Sequence, residues 1–508
     1  MRNYKWICLV WIAWIFPCVA FATDDDRPEL TQKETRDLAQ KLEVIPDGGA
    51  TGEQTGWNLN YYLGPVLRRC ESATDEWLKP TERILNMLAD KMAVGPDGYK
   101  GFIGPYIYNN THWCDVHVGD AILVVHLLHF ASIIHRHPEL KQQYGKSAER
   151  FIAIGKRDLI EKWEKRGTFV VDGVFAGYRE WNRFCKPDDI AGEWYTTDQA
   201  RGEGVAFPSL PFNKAMDMAH CMLLIYEVTG EKVYKDKAEK IFNRFKAGLN
   251  PFRGGYTWNY WEPVAPEDVN IQSTRNERIL THWVGTHPYR DYQAGEMDMV
   301  VHAYNMGITF TDDDIRRFIH TNLQFMWNGD LSNPAYENSN SKLPGYVKPP
   351  PSKDYPTTAG TYWSALAQFD TTLFHLRNNG RRSPGDTPRI AGFVRQYAPK
   401  AVVKEPAWMK GIGESAGQME AIVIPSVVRK GQNAVILSKA DGEPAPVEIW
   451  VSPLKKGKAH RITTQQMGNG IQLFYDWDGT VNGRRITGEY VIIWKYKGGE
   501  RAYPVTLK

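Results

Sequence analysis

The 508-residue chain lacks any large charge of one sign: 62 Lys and Arg stand against 59 Asp and Glu, a formal net charge of +3. Bulk attraction to nucleic acid or to an acidic membrane surface is excluded on that balance. It has no G-x-x-x-x-G-K-[ST] phosphate loop and no G-x-S-x-G elbow, so nucleotide and serine-hydrolase chemistry drop out. H-E-x-x-H is missing, and its few cysteines show no C-x-x-C spacing, which argues against a zinc protease, a zinc ribbon and a redox motif. Beyond the N-terminus no apolar run reads as the ~20-residue stretch that spans a bilayer. No low-complexity tract interrupts the chain.

The first 22 residues have the form of a secretory signal: Arg2 and Lys5, an apolar run from Trp6 to Phe16, and Ala20-Phe21-Ala22 as a cleavage site. The expectation is a secreted or periplasmic protein with no membrane contact after cleavage. Cys8 and Cys18 leave with the signal. Cys70, Cys114, Cys185 and Cys221 remain, enough for one or two disulfides that spacing does not pair.

Aromatic residues are abundant, with 18 Trp and 25 Tyr, and many sit in polar loops where a packed core does not explain them. Thr281–Met299, THWVGTHPYRDYQAGEMDM, is the densest such stretch and runs into an apolar-periodic helix. Thr111–Asp120, Tyr195–Asp217 and Asp354–Trp363 repeat the arrangement. Between residues 57 and 400 the helical patterns fall into pairs, a nearly all-apolar helix followed by a charged amphipathic one. Val118–His135 precedes Glu139–Lys165, Asn213–Val228 precedes Glu231–Leu249, and Gly295–Met306 precedes Asp312–Met326. Thr361–Leu376 opens a fourth pair. Inner helices wrapped by outer ones would gather the aromatic loops at one end, as in a toroid. Past residue 400, short β-branched runs separated by Asp441-Gly442, Asn469-Gly470, Asp478-Gly479 and Asn482-Gly483 predict strands and hairpins. The expected fold is mainly α: a signal at 1–22, an (α/α) toroid at 23–400 and a small antiparallel β-sandwich at 401–508.

Leu210–Gly230, LPFNKAMDMAHCMLLIYEVTG, with the EKVYKDKAEKI that follows, and Ala294–Asp330 resemble the inner-to-outer helix hairpins of (α/α) six-hairpin toroid enzymes. These are polysaccharide lyases, glycoside hydrolases and uronyl epimerases. The resemblance spans roughly residues 57–400 and implies a fold more firmly than a reaction. It implies an acidic polysaccharide or oligosaccharide as substrate. For a lyase it further implies Asn, His and Arg on the uronate carboxylate, with Tyr or His moving the proton.

For that β-elimination the chain offers Tyr289 or His287 as base and acid, Asn213 and Arg290 on the carboxylate, and His117 beside them. Tyr289 and Arg290 could equally pin a loop, and Asn213 could equally cap a helix. His126, His129, His220 and His302 lie within apolar helices and read as core residues. Sugar contacts are expected from His112, Trp113, Tyr195, Trp258, Tyr260, Trp261, Trp283, Tyr292 and Glu296. No cofactor is required, although His112, Asp115 and His117 could hold a divalent ion if their loop curls. Hydrolysis is the second reading, because Asp115, Asp120, Glu193, Asp198, Glu262, Glu296 and Asp298 supply carboxyls. Glu296 and Asp298 would face different ways on a helix. A non-catalytic carbohydrate-binding protein is the third.

Overall fold

The structure is a computed structural model that describes residues 28–508 except 46, 48–50, 108, 182, 188, 197–208, 265–267, 273–276, 281–289, 345, 347–359, 378–402, 410–413, 415–418, 441–442, 469 and 498. The expected signal, Asp198, Trp283, His287 and Tyr289 lie outside the described residues, as does the helix expected at 388–397.

Helices α1 (Pro28–Glu43), α2 (Gly52–Cys70) and α3 (Asp75–Asp90) open the chain. Helix α4 (His117–Arg136) follows, then α5 (Lys141–Ile154), which runs through a wide turn at Gly155–Glu161 into the short α6 (Lys162–Lys165). Helices α7 (Phe212–Thr229) and α8 (Lys232–Gly248) form a hairpin closed by Gly230 at φ 71°, a conformation glycine adopts without Cβ strain. Then come α9 (Arg290–Asn305), α10 (Asp312–His320) with a wide final turn at Thr321–Met326, and α11 (Thr371–Arg377). The cap expected at Thr311 is present, and Asp314 reciprocates: its amide donates to Thr311 Oγ1 (3.3 Å) while its carboxylate accepts from Thr311 N (2.6 Å).

Contacts order the apolar helices as α2, α4, α7, α9, then the turn at Ser364–Gln368 and α11. The neighbours run parallel, because partner numbers rise together. Gly56 meets Gly119–Leu123, while Asn60 meets His126 further along. Cys221 meets Ala121 near the start of α4, and Glu227 meets Ser132 near its end. Helices α1, α3, α5 and α8 back this row on its outer side. The result is a two-layered helical arc around one continuous apolar core that runs from Leu38 to Leu376. Helix α4 is the one described helix long and apolar enough to cross a membrane, contrary to the reading that no such run exists. Almost all of it is buried inside the protein, as an inner helix flanked on both sides should be.

At the C-terminus, Met419–Ile424, Ala434–Ala440 and Gln472–Trp477 make a three-stranded antiparallel sheet. Val427–Val428, Gly499–Leu507, Gly488–Tyr496, Ala445–Pro453 and His460–Met467 make a five-stranded one, with Val427–Val428 pairing parallel to its neighbour. The two share a core, and Trp494 Nε1 donates to Ser438 Oγ across it (2.8 Å). Asn482-Gly483 forms the expected tight hairpin, both residues at positive φ. This unit is fixed to the helices. The Asp172 carboxylate accepts from Ser426 N (2.7 Å), Arg501 donates to Ala247 O (2.9 Å), and Asn259 donates to Glu420 (2.8 Å). Phe175, Ala247 and Trp261 of the helical part enter the sandwich core.

Candidate functional site

Two places gather the polar residues that chemistry would need. The first is the loop Thr111–Asp120, which the sequence brings forward. The strand Asn109–Cys114 delivers Asp115 into a buried ionic cluster, where Lys162 Nζ reaches Asp115 (2.8 Å), Lys100 O (2.8 Å) and Asp120. Arg166 adds a second bond to Asp115 (2.8 Å). Burial alone would raise the Asp115 pKa, but Lys162 and Arg166 overcome it and hold the carboxyl low. Asp120 is pushed up to about 7 by burial and by Asp115. It nevertheless has no solvent access, and Phe102 N and Trp163 Nε1 occupy its oxygens (2.9 and 3.1 Å).

His117 is also buried here, stacked on Trp163 with ring centroids 3.8 Å apart and bonded to Thr168 Oγ1 (2.8 Å). A catalytic role for His117 is therefore corrected: an imidazole packed under an indole meets no substrate. The ion site expected from His112, Asp115 and His117 does not form either. The cations Lys162 and Arg166 take Asp115, Thr168 takes His117, and His112 turns to Tyr195 with Nδ1 2.7 Å from the phenol oxygen. Among the described residues no three His, Cys, Asp or Glu side chains form a metal-holding group. The four cysteines that follow the first 22 residues are buried free thiols, so no disulfide forms.

The second place is the inner face of the parallel helices. Positions three and four apart on one helix stack into a stripe, and here the stripes are polar on otherwise apolar helices. On α2 the stripe is Glu53, Trp57, Asn60 and Arg68. On α7 it is Asn213, Asp217 and His220, and on α9 it is Asp298 and His302. Helix α4 adds His126 and His129. Direct contacts join the stripes: His126 to Asn60 (2.6 Å), His129 to Glu71 (2.8 Å), and His220 to His302 at 4.8 Å between ring centroids. Of the four histidines expected in the core, His126 is buried and His129, His220 and His302 are half-buried along these stripes. Burial and the neighbouring cations and imidazoles keep His126 and His302 down to about 3, so both are neutral.

On the same stripes, one turn nearer the helix starts, are two carboxyls, Asp217 and Asp298. Burial pushes Asp217 up to about 7 against the pull of Lys214. It pushes Asp298 up to about 6, with Arg68 opposing. Asp217 is half-buried, yet Asp298 is exposed to solvent. Glu296, two residues before Asp298, points the other way as helix geometry requires. It is fully buried, takes Trp258 Nε1 at 2.9 Å, and is raised well above the carboxylate range by burial, with Asp217 adding to the rise. A direct sugar contact by Glu296 is corrected on that ground.

Three stacked rings lie near the starts of α2 and α9. Tyr292 lies between Trp57 (6.4 Å, 27°) and Tyr260 (5.6 Å, 18°), and Glu53 anchors the Trp57 indole (3.3 Å). Trp258 and Trp261 are almost wholly buried, so the ring faces expected to stack on sugar are not available. Trp113 packs half-buried against a satellite core that includes Cys185, with Trp181 beside it. Asn213 is buried in the first turn of α7 and is not its cap, since Pro211 holds that position. Its Oδ1 has no hydrogen-bond partner among the described residues. Arg290 begins α9 at the same end. Of the other carboxyls, Glu193 is exposed, and burial raises Glu262 to about 7 beside Arg244 and Arg501 at the junction with the sandwich.

No protein-family model matches the sequence, and neither does any curated protein. Among solved structures, an inactive variant of the α-1,6-mannanase GH76A of Salegentibacter sp. HEL1_6, in complex with α-1,6-mannotriose, aligns with a TM-score of 0.31 and 15% identity. The alignment covers 76% of this chain and 89% of that one. Similarity at that level assigns this chain neither a fold nor an activity.

Proposed function

We propose that this chain is an exported enzyme that hydrolyses glycosidic bonds in a polysaccharide, on a helical toroid whose inner face carries the site. One observation supports it above the rest: Asp217 and Asp298 sit on the polar stripes of adjacent parallel helices, each reached by water and each with a raised pKa. Two carboxyls held in different protonation states are what glycoside hydrolysis needs, one to protonate the leaving oxygen and one to activate water or attack. Asp217, the less exposed of the two and so the more readily kept protonated, is the proton donor. Asp298, whose negative charge Arg68 favours, is the ionised partner. Glu296, uncharged behind Asp217 and tied to Trp258, fixes the turn of α9 that presents Asp298. Trp57, Tyr292 and Tyr260 guide the glycan at the mouth, where the rings supply area at low entropic cost.

Uronate elimination needs a cation to neutralise the substrate carboxylate. In the described part of the cleft, Lys214 lies 3.6 Å from Glu53 and Arg68 favours Asp298, so carboxylates already claim the positive charge. A neutral glycan suits this balance better than an acidic one. The lyase reading keeps one specific support, the 2.7 Å contact between His112 and the Tyr195 hydroxyl, an imidazole placed to take a phenolic proton. Incubating the purified protein with neutral and acidic glycans separates the readings. Hydrolysis releases reducing ends without a new ultraviolet chromophore, whereas a conjugated double bond rising in step with them would replace this proposal by elimination. Binding without turnover on every glycan would leave a carbohydrate-binding protein.

A further inference from the structure

We propose that the outer face of the C-terminal sandwich binds an anionic polysaccharide, where the turn between Ala445–Pro453 and His460–Met467 adjoins the half-buried ring of Trp450. The proposal is independent of the hydrolase reading above. Charge in the sandwich is not spread evenly. No Asp or Glu occurs between Glu448 and Asp476, whereas Lys455, Lys456, Lys458 and Arg461 all fall in that interval. All four are exposed. Among the described residues the three lysines have no carboxylate at ion-pair distance, and Arg461 has Glu448 at 3.2 Å. Glu489 is exposed on the neighbouring strand, where its carbonyl accepts from Leu454 N (3.0 Å), and even with it the cations are in excess. They set up a local positive field on a chain that is nearly neutral as a whole. Nor is the turn a free arm. A Cβ on Gly457 would lie 2.6 Å from the Pro453 ring, so the backbone between the lysines packs on its own stem.

Strand register supplies the apolar half of the surface. Directly paired residues on antiparallel strands share a face. Trp450 pairs with Arg461 on one side and with Ile493 on the other, and Ala502 lies beyond Ile493. By alternation this row is on the opposite side of the sheet from Ile449, Val451, Ile492 and Trp494, which fill the core. At the spacing of neighbouring strands it is ~14 Å long, a flat apolar strip with a guanidinium at its edge. On the adjacent row Lys495, held by Glu500 at 3.1 Å, lies 5.7 Å from the Trp450 ring. Glu448 accepts the indole N–H (3.1 Å) and fixes the ring. These bonds stay within the sandwich, so they are not spent on docking it to the helices. A uronate or sulfated sugar presents both complements at once, a C–H face for the ring and an anion for the cations. Duplex nucleic acid offers phosphates but hides its base faces, and a lipid surface offers no ring to stack, so the strip favours the glycan.

The full-length protein is tested for binding, at low and at high salt, to polygalacturonate, to the neutral polymer dextran, to duplex DNA and to vesicles containing phosphatidylglycerol. The expected result is salt-sensitive binding to polygalacturonate and none to dextran. Changing Lys455→Glu, Lys456→Glu and Lys458→Glu together should weaken that binding roughly tenfold or more at low salt. Trp450→Ala should weaken it about fivefold or more, and circular dichroism should be unchanged in both variants. If Trp450→Ala melts early, Trp450→Thr, a residue suited to strands, takes its place. Polygalacturonate binding that survives both changes would overturn the proposal, and so would no binding at all. DNA or vesicles bound as tightly, with no loss in Trp450→Ala, would reduce the surface to simple cation exchange and overturn it too. None of these outcomes touches the hydrolase reading, which the release of reducing ends decides.

Discussion

The loop cluster around Asp115 and the helical cleft around Asp217 are built from the same residue types, yet they differ in access and in charge balance. In the first, Lys162 and Arg166 meet the carboxylates directly and solvent is excluded. In the second, each carboxyl is reached by water and has a single opposing cation that does not offset its burial, and both pKa values rise. Asp120 and Asp217 both reach about 7, so a shifted pKa alone does not mark a site. Solvent access separates them. A closed, paired cluster holds an irregular loop against α4 and α6, whereas an open, unbalanced one keeps a proton available for transfer.

The largest expected effects break the contrast from the cleft side. Asp217→Asn and Asp298→Asn should each lower turnover by roughly 10²–10⁴-fold with an unchanged circular dichroism spectrum, measured by reducing-end release. From the other side, Lys162→Met should destabilise the fold by about 3–5 kcal/mol, because it leaves Asp115 and Asp120 buried with too little positive charge. Chemical denaturation reads this, and any lost activity should follow the folded fraction.

A smaller effect follows from linkage. The Asp217 and Asp298 pKa values are raised in the folded state, so the stability they contribute is fully present below the ordinary carboxylate pKa. It is lost as pH rises through about 6 for Asp298 and about 7 for Asp217. Asp217→Asn should therefore gain stability relative to the parent at pH above 7 but not at pH 4. The expected gain is roughly 1–3 kcal/mol after allowing for solvent screening, read by melting at the two pH values. Smallest of all, Tyr195→Phe should change hydrolysis by less than about threefold, in contrast to the near-complete loss expected if it were an elimination base.

Periodicity made the helices legible. The all-apolar run at Val118–His135 could only be an inner helix, and it is. The segment Glu139–Lys165 was less legible as a unit, since the wide turn at Gly155–Glu161 keeps helical periodicity while changing its pitch. Two strands, His460–Met467 and Gly499–Leu507, were hidden by polar alternation and by Pro504. One part of the candidate site, the loop Thr111–Asp120, is closed to substrate for a reason its local sequence hides. A loop rich in His, Asp and Trp looks like chemistry, but its charges are cancelled by Lys162 and Arg166, some forty to fifty residues away in sequence. Asp217 looked like one polar position in a helix. The available signal was the stripe Asn213, Asp217, His220, matched by Asp298 and His302: polar side chains at helical spacing on helices too apolar to be surface ones.

The pH dependence of kcat/KM for the unaltered protein tests the central claim most directly. Activity should rise as Asp298 ionises near 6 and fall as Asp217 loses its proton near 7, giving a narrow maximum between them. The rising limb should vanish in Asp298→Asn. A rate that stays level from acid to alkaline pH, or wild-type activity in Asp217→Asn, would contradict the account.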